Sequence, residues 1–141
     1  MIDLDKVTHQ ILQKAWDDGI QVIQAQMDPY TPSNCSPSMN TIVINTNWHD
    51  KQQLPFTIGH EITHVKECDK EDVIRSFTLG SKSSYEYEAN CGSIKILVPY
   101  YVDEFDDNLE QMNVLQFMHI FKIPNSLFNE CEVAIKKYVN K

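Results

Sequence analysis

The HExxH sequence formed by His60, Glu61 and His64 is the feature of this chain best suited to chemistry. The surrounding residues predict a helix, and residues four apart on a helix lie on one face with Cβ atoms about 6 Å apart. Two imidazoles at that spacing can bind one zinc ion. The glutamate between them can take a proton from a water that attacks a peptide carbonyl. The motif therefore predicts a zinc peptidase with His60 and His64 as metal ligands and Glu61 as the general base.

A catalytic zinc takes a third protein ligand and keeps its fourth position open. Glu86 and Glu88 are the candidates on the next predicted helix. Glu86 stands three residues after Ser83 and can complete a capping box there, whereas Glu88 has no such alternative role. The small residues Cys91 and Gly92 would let this helix approach the HExxH helix closely. We therefore assign Glu88 as the third ligand in preference to Glu86.

Cys68 follows His64 by four residues and continues the same helical stripe. A thiolate is a good zinc ligand. A helix rises about 6 Å over four residues, however, so three successive positions of this kind form a line and do not converge on one ion. A partly buried free thiol is the favoured interpretation of Cys68.

Other side chains could polarise the carbonyl oxygen on which negative charge develops, but their spacing does not choose among them. These candidates are Tyr85, Tyr87, Tyr100, Tyr101, His49 and His119. Asn90 could hydrogen-bond a metal ligand from behind. For all of these residues, an ordinary place in the core or on the surface is the alternative.

The elements that must position these residues follow from hydrophobic spacing. Apolar residues between Leu4 and Trp16 recur at helical spacing and predict an N-terminal helix. The β-branched runs 20–27 and 41–46 predict strands. Prolines between the runs predict a long turn that could include a short edge strand near Cys35.

Helices account for the rest of the pattern. Asp50 and Gln53 form a plausible capping box for the HExxH helix. The second motif helix should open at Ser83 and end near Val98, because Pro99 follows. Two further helices close the chain. The first carries Val114, Leu115, Met118 and Phe121, and the second carries Leu127, Cys131, Ala134, Ile135 and Tyr138. The sum is an α+β, zincin-like fold: an N-terminal helix, a small antiparallel sheet of about three strands, the HExxH helix, the glutamate helix and C-terminal helices.

Length and composition set bounds on the class of protein. The 141 residues are 42% hydrophobic and 23% charged, which predicts one globular metallopeptidase domain over residues 1–141. The start lacks the features of an export signal, and no apolar run approaches membrane-spanning length. We therefore expect a cytoplasmic protein whose four cysteines are free thiols. The net charge of −8 opposes direct binding to nucleic acid.

Three stretches carry a family resemblance. They are FTIGHEITH at 56–64, EYEAN at 86–90 and ILVP at 96–99. In these stretches the chain resembles the ImmA/IrrE family of metallopeptidases. Two positions depart from the family pattern, since Gly92-Ser93 stands where the family usually has Phe-Ala, and Thr63 stands where it often has Gly. Neither departure touches a proposed ligand, but Gly92 implies different packing behind the site.

The resemblance implies roles beyond what spacing can show. In that family the glutamate of a Glu-Ala pair is the third ligand, which maps onto Glu88-Ala89 here. Zinc is the implied metal, with Mn2+ or Fe2+ as alternatives. The implied substrate is a helix-turn-helix transcriptional repressor of a phage or mobile element, so the protein would act as an anti-repressor.

Two other functions compete with peptide hydrolysis. A peptidase-like binding module could antagonise a repressor by contact alone, with the metal serving only the structure. A redox-responsive protein could use Cys68 or Cys91 beside the metal.

Overall fold

The computed structural model describes residues 2–67, 81–106 and 108–141 of the chain. In this part, one α-helix precedes a small sheet and four α-helices follow it, as the sequence predicts. In chain order the elements are α1 (Leu4–Asp17), β1 (Gln21–Ala25), β2 (Asn34–Ser36), β3 (Thr41–Asn45), α2 (Leu54–Glu67), α3 (Ser81–Val102), α4 (Val114–Phe121) and α5 (Phe128–Val139). The predicted α+β class is confirmed. None of the described helices is long and apolar enough to cross a membrane.

The sheet has three strands in the order β1-β3-β2 and is mixed. β2 pairs antiparallel with β3, while β1 pairs parallel with β3 over its whole length. The prediction of an antiparallel sheet is therefore wrong for the pairing of β1 with β3. A parallel pair needs a connection of about a dozen residues or more, and the long turn between β1 and β3 is sufficient for one.

Asn45, at the end of β3, holds the long turn in place. Its side chain is fully buried and donates hydrogen bonds of 2.7 Å to the carbonyl oxygens of Asp28 and Thr31. The side chain oxygen Oδ1 of Asn45 accepts a hydrogen bond from the backbone N–H of Met27 at 3.0 Å. Because a buried amide is costly unless its hydrogen bonds are made, this network fixes the path of the chain from β1 into β2.

The start of α2 differs in detail from the prediction. The Asp50 side chain caps a short 3-10 turn over Lys51–Gln53, and α2 follows directly after it. Gln53 does not close a capping box, because its side chain oxygen accepts from Nε1 of Trp48 at 3.0 Å, while its NH2 group donates to the carbonyl oxygen of Lys122 at 2.9 Å. The residue is used to tie the start of α2 to the end of α4.

The helix α3 is longer than predicted at both ends. It begins at Ser81, so Ser83 lies inside it, and it continues past Pro99 to Val102. A proline inside a helix removes one hydrogen bond and costs about 3 kcal/mol. Packing offsets this cost, because Tyr101 is buried and its hydroxyl donates to Gln116 at 2.6 Å.

The C-terminal helices α4 and α5 lie where the sequence predicts them. Phe117 and Phe121 on α4 and Cys131 on α5 are fully buried. They join the core that α1, α2, α3 and β3 also supply. The core thus lies behind α2 and holds the HExxH helix from several sides.

The helices α2 and α3 pack closely against each other in the core. Ser93 on α3 donates a hydrogen bond of 2.6 Å to the carbonyl oxygen of Phe56, and a Cβ added at Gly59 would overlap the Ser93 hydroxyl. One turn further along, a Cβ added at Gly92 would overlap the side chain of Thr63. The two departures from the family pattern therefore touch each other. The larger residue on α2 occupies the space left by the smaller one on α3.

Gly92→Ala should destabilise the protein by about 1–3 kcal/mol, because the added methyl group overpacks a tight interface. Thr63→Gly removes the obstructing side chain, so Thr63→Gly/Gly92→Ala should lose less stability than the sum of the two single variants. Chemical denaturation of the four proteins in a double-mutant cycle measures this coupling. Additive losses would show that the two positions do not compensate each other.

Candidate metal centre

The helix α2 presents its two faces to different surroundings. Ile58, Ile62 and Val65 are buried in the core, while His60 and His64 lie on another face and are only partly buried. The imidazole rings are in contact, with centroids 4.7 Å apart. The spacing of the HExxH sequence therefore places both rings side by side, as a shared ligand requires.

The carboxylate of Glu86 completes a triad with the two imidazoles. One Glu86 oxygen lies 3.0 Å from Nε2 of His60, and the other lies 2.9 Å from Nε2 of His64. The two Nε2 atoms are 3.1 Å apart. Around tetrahedral zinc with bonds of about 2.0–2.1 Å, ligand atoms stand about 3.3–3.4 Å apart. The triad therefore fits a zinc ion after an opening of a few tenths of an ångström.

Glu88, the glutamate assigned from the sequence, does not join the triad. It lies at a small cavity lined by Thr63, His64, Glu67, Tyr85, Glu88 and Ala89. In the described part of the chain, the structure therefore brings Glu86 to the two histidines, and Glu88 as the third ligand stays a prediction. Glu86 and Glu88 are two residues apart, which places them about 200° apart around a helix. The capping argument fails because α3 already begins at Ser81, which leaves Glu86 available to the histidines.

Asn90 supports one imidazole from behind. Its side chain oxygen lies 2.8 Å from Nδ1 of His60. An oxygen at this position accepts the Nδ1 proton, so the lone pair of the ring remains on Nε2, which faces Glu86. Glu86 and Asn90 are four residues apart on α3 and lie on one face of it. One helix thus supplies both the third member of the triad and the group that orients the first.

Glu61 lies beside the triad but is almost buried, with an exposed fraction of 8%. Burial raises the pKa of its carboxyl group to about 7, and the nearby His60 and a hydrogen bond from the Cys35 thiol act in the opposite direction. A carboxyl group with a pKa near 7 can both accept and release a proton near neutral pH. Its surroundings therefore suit the role of a general base.

The surroundings of His64 favour its neutral imidazole, which is the form that binds a metal. Burial lowers the pKa of its imidazole, and the neighbouring His60 lowers it further. A neutral imidazole keeps a lone pair for a cation. The donor set of two imidazole nitrogens and one carboxylate oxygen is typical of zinc. All three ligand atoms lie within 4.8 Å of one another.

Comparison with known protein families agrees with this geometry. Residues 17–115 match the profile of the Peptidase_M78 family, described as the IrrE N-terminal-like domain. The match covers well over half of the chain. The chain belongs to this family. Searches of curated proteins and of solved structures return no significant match.

The IrrE N-terminal-like domain contains the complete triad. All three strands, α2 and α3 fall within the matched residues, while α5 lies after them. Membership of this family indicates a peptidase-like domain. The triad is a possible site for a metal ion in that domain.

Cys35 is the site residue that sequence analysis missed. It lies on β2, and its thiol hydrogen-bonds the Glu61 carboxylate. The sequence placed a possible edge strand near Cys35 but gave no sign that this strand would reach the HExxH helix. Contacts between β2 and α2 are long-range, so no local spacing could have shown them.

The structure separates the other candidates. Tyr85 lines the cavity beside His64, whereas Tyr101 is buried in the core and His49 stacks on Tyr30. Tyr87 donates a hydrogen bond to α5, Tyr100 is half-buried near the end of α3, and His119 is exposed on α4. Tyr85 is therefore the best placed of the six to approach a substrate. Cys68 lies outside the described residues.

Exchanging each glutamate of α3 for glutamine tests the ligand set. Glu86→Gln replaces a carboxylate ligand by a weaker neutral one and should lower zinc affinity by about a hundredfold or more, as loss of a charged ligand does. Glu88→Gln makes the same change two residues away and should bind zinc as the wild type does. Competition with a coloured chelator measures both constants. The reverse pattern would restore Glu88 as the ligand.

Asn90→Ala should weaken zinc binding by about tenfold, because His60 loses the partner that fixes its ring. Asn90→Asp keeps an oxygen acceptor at the same position and should retain most of the affinity. The same chelator competition tests both variants. Equal losses for alanine and aspartate would show that the amide does not act through the imidazole.

Proposed function

We propose that this protein is a metal-dependent peptidase with its metal at His60, His64 and Glu86. The observation that carries the proposal is the convergence of these three side chains beside the nearly buried Glu61. Two imidazoles and one carboxylate leave a fourth position for water or substrate in a tetrahedral site. Zinc is the proposed metal, with Mn2+ or Fe2+ as alternatives for the same donors. The bound ion would supply Lewis acidity that polarises a carbonyl group and lowers the pKa of water.

Glu61 is the proposed general base. Its carboxylate accepts a proton from the water that attacks the scissile carbonyl and returns the proton to the departing amine. A pKa of about 7 serves both steps. The Cys35 thiol, as a hydrogen-bond donor, fixes the direction of the carboxylate and favours its ionised form.

The proposed substrate is a protein, and a helix-turn-helix repressor of a phage or mobile element is the candidate given by the family resemblance. The net charge of −8 favours a partner with a neutral or basic surface. It also argues against direct contact with nucleic acid. A protein that removes a repressor in this way would act in the cytoplasm.

Glu61→Gln should retain zinc but lower the rate of cleavage by about a hundredfold or more, because the base is lost while the ligands remain. His64→Ala should lose both zinc and cleavage. Glu132→Gln on the surface of α5 is the matched control and should change neither property. Metal analysis of each purified protein, with mass spectrometry of a repressor encoded by the neighbouring gene after incubation, measures both.

The same variants separate hydrolysis from antagonism by contact. If Glu61→Gln still relieves repression fully in a reporter assay without producing fragments, the protein acts as a binding module. If the wild type binds zinc but neither it nor any variant cleaves the repressor, the protein likewise acts as a binding module.

A further inference from the structure

Glu86 is the sixth residue of α3 as described and lies in its second turn. The first turns of a helix lack part of their hydrogen bonding and fray unless side chains hold them. A metal ligand, by contrast, must stay within about 0.5 Å of its productive position. The turn that carries Glu86 therefore needs attachment to the rest of the protein before any metal binds.

Tyr87 supplies such an attachment. Its hydroxyl donates a hydrogen bond of 2.7 Å to a carboxylate oxygen of Glu130 on α5, and it also contacts Cys91 one turn along α3. Cys131, the neighbour of Glu130, is fully buried in the core. The acceptor is therefore carried by a helix that is itself firmly packed.

A second hydrogen bond of the same kind joins α5 to the other end of α3. The Tyr138 hydroxyl donates to a carboxylate oxygen of Asp103 at 3.0 Å. Asp103 follows directly after α3, so this bond lies at the end of the helix opposite to Glu86. Both bonds join a tyrosine to a carboxylate across the same two helices, but only the first is adjacent to the triad.

We propose that Tyr87 and Glu130 are positioning residues of the metal centre. The bond from α5 fixes the backbone of the turn that carries Glu86, and it thereby reduces the ordering that metal binding would otherwise require. This inference rests on the proposed metal site. It gives α5, which lies after the residues matched by the family profile, a direct part in the site.

Tyr87→Phe removes the hydroxyl and keeps the ring, and it should weaken zinc binding by about three- to tenfold, the equivalent of one hydrogen bond. Tyr138→Phe makes the same change at the far end and should leave affinity within about twofold of the wild type. Glu130→Gln keeps an oxygen acceptor and should lose less affinity than Glu130→Ala. Chelator competition provides the constants, and thermal unfolding verifies that each variant is folded.

Hydrogen exchange of the metal-free proteins gives a second readout. Amides of residues 85–90 should exchange faster in Tyr87→Phe than in the wild type, and Tyr138→Phe should leave them unchanged. Unaltered affinity and exchange in Tyr87→Phe, or an equal loss in Tyr138→Phe, would overturn the inference while leaving the metal site in place. A wild-type protein that binds no zinc would overturn the metal site itself, and the inference with it.

Discussion

The close packing of α2 against α3 is the constraint on which the site depends. Gly59 faces Ser93 and Gly92 faces Thr63, so the two backbones approach at two successive points. Larger side chains at either glycine would separate the helices. The Glu86 carboxylate reaches the imidazoles of α2 only because this separation is small. The candidate metal centre is thus a consequence of small residues in the core behind it.

A gradient of burial runs across the candidate site, from the triad to Glu61. The triad is accessible, with the Glu86 side chain about half exposed, whereas Glu61 is nearly enclosed. The same helix therefore presents two imidazole nitrogens towards a ligand position and a carboxyl group with a raised pKa towards the sheet. Because β2 adjoins Glu61, the sheet forms part of the surroundings of this carboxyl group as well as of the fold.

Two surfaces of α3 contact different helices. One surface faces α2 and carries Glu86 and Asn90, which act together on the histidines. The other faces α5, where Tyr87 and Glu130 meet. The family profile covers the first contact but ends before α5. The IrrE N-terminal-like domain and α5 therefore meet on the element that carries Glu86.

The sequence by itself determined the features that depend on local spacing. The pairing of His60 with His64, the limits of α1 and the two C-terminal helices all follow from periodicity along one element. Tertiary structure alone brought Glu86 to the histidines, because which glutamate faces them depends on how α3 is rotated against α2. It also decided the parallel pairing of β1, the approach of Cys35 to Glu61 and the passage of α3 through Pro99. Each of these features depends on contacts between residues far apart in the chain. At such points the energy of tertiary packing outweighs local secondary-structure preference.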